Sequence, residues 1–205
     1  LTNFDIAAAT QYFQPLLPIS VYALAARWQQ AGEQQGFPRN LVEENNFFHF
    51  FWEQIAAEFD LDAAQRATLA GLDYTRFVVP YPEVQPVLAQ LRRQNLRLGV
   101  LSNFSLASLD HSLVSAGLAH YFDAICAAPV IGYAKPAPQA YQIALDTLQV
   151  SAEQCLYFDD EEECVAGARA LGMRAWLVDR RAGADDWQRG LVASLQAAPP
   201  LASRG

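Results

Sequence analysis

From Pro80-Tyr-Pro82 onward the chain alternates short apolar runs with amphipathic stretches of about ten residues, and that alternation leaves few folds open. Leu96 to Leu101, Phe122 to Ala127, Cys155 to Phe158 and Arg174 to Val178 read as strands. Ahead of the first, Val84, Val87, Leu88 and Leu91 mark one helix, and between the first two Leu106, Leu109 and Leu113 mark a second that closes near Gly117. Tyr141, Leu145 and Leu148 mark a third after Pro138, and Val165 to Leu171 a fourth that closes at Gly172. Strands joined by single helices pair in parallel, because the return crossover is helix-sized. The expected class is α/β: a doubly wound parallel (Rossmann-like) sheet with helices on both faces.

The part before Pro80 follows a different pattern. Val21, Leu24, Ala25 and Trp28 recur at helical spacing, as do Phe48, Phe51, Trp52, Ile55 and Phe59, with Gly36-Phe-Pro38 between the two sets. Asp60 is placed to cap a third, shorter helix. The aromatic residues Phe47, Phe48, Phe50, Phe51 and Trp52 suit a helical core or a dimer surface. The expected organisation is a helical cap over residues 1–79, an α/β core over 80–195 and a flexible tail over 196–205.

With 205 residues, 52% of them hydrophobic, the chain can bury one core plus a small accessory module. A net charge of −8 without any Lys/Arg-rich run excludes nucleic acid as a partner. No apolar run approaches the roughly 20 residues of a membrane span, and no signal peptide is visible. Three scattered cysteines, Cys126, Cys155 and Cys164, have no metal-type spacing and read as reduced thiols of a cytoplasmic protein.

Two of the strands end in oxygen-bearing side chains: Ser102-Asn103 after the first, Asp159-Asp160 after the third. Strand carboxyl ends are where ligands bind in a parallel sheet. The Ser102 hydroxyl and adjacent backbone N–H groups suit phosphoryl oxygens, and paired carboxylates suit Mg²⁺, which takes one or two of them plus water. Lys135, the lone lysine, precedes a helix with Pro138 in its first turn and adds positive charge where an anion is already favoured. In so acidic a chain, phosphate must depend on such local cations. Glu161, Glu162 and Glu163 also suit the N-terminus of the following helix. His49, His111 and His120 have no acidic partner at useful spacing and read as structural or surface residues.

Together Leu98-Gly-Val-Leu-Ser-Asn103, Lys135-Pro-Ala-Pro138 and Leu156-Tyr-Phe-Asp-Asp160 with Val165-Ala-Gly-Ala-Arg-Ala-Leu-Gly-Met173 resemble motifs II, III and IV of the haloacid dehalogenase (HAD) superfamily of phosphohydrolases. The resemblance implies a helical cap inserted into the core. It also implies Ser102, Asn103 and Lys135 as phosphate-binding residues, with Ser102 and Lys135 acting in catalysis, and Asp159 and Asp160 as Mg²⁺ ligands. Cys164 departs from the pattern, standing where many members carry Asp or Asn. The implied activity is a Mg²⁺-dependent phosphatase acting on a small phosphorylated metabolite through an aspartyl-phosphate, as a monomer or homodimer. One rival is a 2-haloacid dehalogenase, which needs no metal and against which the acid pair argues. A second is a non-catalytic protein that binds phosphate and Mg²⁺.

Motif I, an apolar strand ending Asp-x-Asp-x-Thr that supplies the nucleophile, is not visible. Phe4-Asp5 is its decayed remnant in one register, with Ala7 where the second acid belongs. In the other, the motif lies ahead of Leu1 and is absent, and Asn3 or Asp5 caps the first helix. The second is favoured, since only three residues precede Phe4 and Asp5-Ile-Ala-Ala-Ala reads as a helix start. The chain alone is expected to be inactive.

Overall fold

The computed structural model describes residues 1–182, 185–186 and 191–197. In chain order its elements are β1 (Thr2–Phe4), α1 (Ile6–Phe13), α2 (Val21–Gln35), α3 (Leu41–Glu58), α4 (Ala63–Ala70), β2 (Val78–Pro80), α5 (Val84–Arg93) and β3 (Gly99–Ser102). There follow α6 (Leu109–Ser115), β4 (Ala124–Ala127), α7 (Ala128–Ile131), α8 (Pro138–Leu148), β5 (Leu156–Asp159), α9 (Glu162–Ala170), β6 (Arg174–Val178) and β7 (Leu191–Val192). Of the expected tail, Gln196 and Ala197 end a short 3₁₀ turn, and residues 198–205 lie outside the described residues.

The backbone falls into two compact units. The first comprises Leu1–Tyr81, Asn103–His120 and Ala127–Gly132. Its helices start where short polar side chains take orphan N–H groups: Asp5 from Ala8 N, Ser20 from Ala23 N, and Asn40 from Val42 N and Glu43 N. Asp62, rather than the expected Asp60, caps α4, in a reciprocal box with Gln65. Asp60 instead turns the chain in a left-handed conformation (φ +50°), which short acidic side chains tolerate. The core is aromatic. Phe13, Phe47, Phe51, Trp52 and Phe77 are buried, with Trp28 edge-on to Phe47 and Phe51, while Phe50 of the same helix is 58% exposed.

A β-ribbon in this unit was not expected. β1 pairs antiparallel with β2 in the register Thr2↔Pro80, Asn3↔Val79, Phe4↔Val78. Asp5 N donating to Phe77 O and Tyr81 N donating to Leu1 O extend the ribbon at both ends. Asn103–His120, read from sequence as core, groups with the helices for a definite reason. The buried Glu44 carboxylate of α3 accepts from Ser108 N at 2.9 Å and from the Ser108 hydroxyl, and Tyr74 shares that hydroxyl.

The second unit comprises Pro82–Ser102, Tyr121–Cys126 and Tyr133–Gly205. It holds the parallel ladder β5–β6–β7, with Leu156 opposite Arg174 and Leu177 opposite Leu191. The α/β class matches the expectation. The described strands, however, form separate sheets, β3 pairing with β4 and β5 with β6. Among the described residues no strand pairs with both β3 and β5, and β1 makes its ladder with β2. α8 packs on β3 and on α9, and α9 packs on β5 and β6. Gly99 permits the first of these contacts, since a Cβ there would stand 2.8 Å from Leu148 Cδ1.

Candidate active site

The site assembles in the second unit around Asp159. Leu101 of β3 and Tyr157 of β5 pack against one buried cluster containing Tyr141, Leu145, Val165 and Ala168. Ser102 is therefore one residue beyond that cluster and Asp159 two, each the last residue of its strand. Lys135 lies in the loop ahead of α8, whose Pro138 occupies the first turn as expected.

Lys135 Nζ donates to Asp159 Oδ2 at 2.6 Å, and the two side chains are only 9% and 5% exposed. The Tyr157 hydroxyl donates to the same oxygen, while Oδ1 accepts from Glu161 N at 3.0 Å. A buried ion pair needs such extra hydrogen bonds to offset desolvation. Burial raises the Tyr157 phenol far above its usual range, and its hydrogen bond to Asp159 and the nearby negative charge raise it further, so it remains a donor. Tyr141 lies edge-on to Tyr157 at 5.6 Å and donates to Cys164 O at 2.7 Å. Burial raises its phenol too.

α9 approaches this loop closely at Gly167. A Cβ there would stand 3.0 Å from both Pro136 Cβ and Tyr141 Oη and 3.1 Å from Pro136 O. Cys164 is buried and its Sγ donates to Glu161 Oε2 at 2.9 Å. Burial, then the hydrogen bond to Glu161, pushes its thiol up to about 12, so at neutral pH it is a protonated donor and not a thiolate.

The sequence-derived residues are placed unequally. Lys135 and Asp159 meet directly. Ser102 is half-buried at its strand end, and Asn103 is exposed and groups with the first unit. Asp160 is exposed and outside the acidic cluster, which among the described residues consists of Asp159, Glu161 and Cys164 with donor atoms within 4.8 Å of one another. That cluster offers hard oxygens to a divalent cation: one remaining acceptor direction on Asp159 Oδ1 and the Glu161 carboxylate. The oxygens fit Mg²⁺ and the protonated thiol does not. Sequence reasoning missed Tyr157, Glu161 and the Gly167 approach. The available signal for Tyr157 was its position two residues before Asp159, on the same face of the strand.

The profile of haloacid dehalogenase-like hydrolases matches residues 4–172. The chain belongs to the haloacid dehalogenase-like hydrolases. Within this family it is 36% identical over 186 residues to the phosphatase MT3486 of Mycobacterium tuberculosis (strain CDC 1551 / Oshkosh), covering 88% of this chain and 83% of that one. It is 32% identical over 183 residues to the (S)-2-haloacid dehalogenase 2 of Pseudomonas sp. (strain CBS-3), covering 87% and 80%. The HAD fold is shared with the crystal structure of the L-2-haloacid dehalogenase RSc1362, with a TM-score of 0.62, 23% identity and coverage of 94% and 90%.

Proposed function

We propose that this HAD-like hydrolase is a Mg²⁺-dependent phosphatase acting on a small phosphorylated metabolite in the cytoplasm, as a monomer or homodimer, with residues 1–79 as its cap. The observation that carries this reading is the Lys135–Asp159 pair: the only lysine of the chain, nearly buried, fixed to a carboxylate at a strand end. In this reading Lys135 neutralises phosphoryl charge, and the Ser102 hydroxyl with the backbone N–H groups up to Asn103 holds phosphoryl oxygens. Asp159, with Glu161 or Asp160, would hold Mg²⁺, which supplies Lewis-acid charge neutralisation when bound. Similarity to a phosphatase along most of its length supports the same reading. Three free thiols, two of them buried, support a reducing compartment. Among the described residues no helix is long and apolar enough to cross a membrane.

The nucleophile is a separate question. Asp5, the only acid before Glu33, uses its carboxylate to cap α1. Residues 1–205 are expected to bind inorganic phosphate and Mg²⁺. Fusing an apolar strand ending Asp-x-Asp-x-Thr ahead of Leu1 is expected to give phosphate release that EDTA abolishes. Halide release from a 2-haloacid in EDTA by the same fusion would replace this reading with the dehalogenase one. Phosphate binding by the fusion without turnover would favour the non-catalytic reading. Turnover by residues 1–205 themselves, lost in Asp5→Asn, would restore Asp5 as nucleophile.

A further inference from the structure

Three donors converge on Asp159, and the phosphate reading accounts for only one of them, Lys135. Tyr157 and Asp159 lie two apart on β5, so both side chains leave the same face. The Tyr157 ring is wedged edge-on against Tyr141, which is fully buried and tied to the Cys164 carbonyl. A ring held this way places its hydroxyl by packing. Lysine has no such constraint, being a point charge on four rotatable bonds. Asp159 with Lys135 as its only partner could present either oxygen. With Tyr157 on Oδ2 and Glu161 N on Oδ1, the plane of the carboxylate is set and a single oxygen faces the ammonium.

We propose that Tyr157 is a positioning residue: its hydroxyl locks the Asp159 carboxylate so that the sole lysine's ammonium is held at the carboxyl end of β5, where a phosphoryl group is to bind. The proposal deepens the phosphatase reading and rests on it for the identity of the ligand.

Tyr157→Phe and Tyr141→Phe form a matched pair for testing this. Each removes one hydroxyl from the same two-ring contact, but only Tyr157 touches Asp159. Two readouts are used. The first is the affinity for inorganic phosphate, followed by NMR at the Ser102 amide. The second is the acetylation rate of Lys135, read by mass spectrometry and specific because the chain has no other lysine. Tyr157→Phe is expected to lose about tenfold in phosphate affinity, the worth of one charge-assisted hydrogen bond, and to acetylate several-fold faster. Tyr141→Phe keeps its ring against Tyr157 but loses the hydrogen bond to Cys164 O, so it is expected to melt earlier and to change both readouts much less than Tyr157→Phe. Parent-like acetylation of Lys135 in Tyr157→Phe would overturn the proposal. Equal losses in the two variants would reduce Tyr157 to a packing role. A parent protein that binds no phosphate would sink the ligand assignment, while faster acetylation confined to Tyr157→Phe would still establish the lock on the ammonium.

Discussion

Replacing Gly167 by alanine sets two opposed effects against each other at one atom. Gly167 lies inside α9, where glycine costs about 1 kcal/mol relative to alanine, so helix propensity alone predicts stabilisation. The new Cβ, however, meets Pro136 Cβ and Tyr141 Oη at 3.0 Å and Pro136 O at 3.1 Å, about half an ångström inside ordinary contact. None of these is the loose end of a flexible chain. Pro136 is a ring and a backbone carbonyl, and Tyr141 is fully buried with its hydroxyl bonded to Cys164 O. Overpacking against such neighbours costs about 1–3 kcal/mol, so the net effect is a destabilisation of about 1 kcal/mol. For a chain of this size the melting temperature should fall by about 3 °C. Because Pro136 must yield and adjoins Lys135, phosphate affinity should drop as well. Ala166→Gly, on the exposed face of the same helix, measures the helix effect in place. If Gly167→Ala melts higher by as much as Ala166→Gly melts lower, propensity is acting alone, and the close approach of α9 to the lysine loop is refuted.

Glu44→Ala strands the buried Ser108 amide and leaves the Ser108 hydroxyl to Tyr74 alone, and should cost about 1–3 kcal/mol in urea unfolding; Glu44→Gln, which keeps one acceptor, should cost roughly half that. Lys135→Arg should abolish measurable phosphate binding, because a planar fork does not fit where a nearly buried ammonium takes one carboxylate oxygen; parent-like binding would show that charge alone suffices. The Thr75 hydroxyl, with its amide, holds the Asp73 carboxyl below the ordinary aspartate value. A depressed folded-state value contributes stability that is complete above the ordinary value near 4 and fades as the pH falls through the folded one. Asp73→Asn should therefore flatten the acid side of the stability profile and leave its slope near neutrality unchanged.

Much of the core was legible in the sequence because it is periodic. Alternating apolar runs located β6 to the residue and α8 from its Pro138 start, and so put Lys135 before a helix and Asp159 at a strand end. The choice between Asp159 and Asp160 was not legible. Leu156, Tyr157 and Phe158 are apolar on both faces of β5, so no alternation marks which of two adjacent acids turns inward. The structure decides it through a partner remote in sequence: Lys135, 24 residues away, donates to Asp159. The grouping of Asn103–His120 with the helices rests likewise on Glu44, 64 residues from Ser108. Local periodicity determines which segments become helices and strands, since it depends only on neighbours along the chain. Which polar groups meet in the interior is decided by the fold alone, because a buried charge must be matched by donors wherever in the sequence they occur.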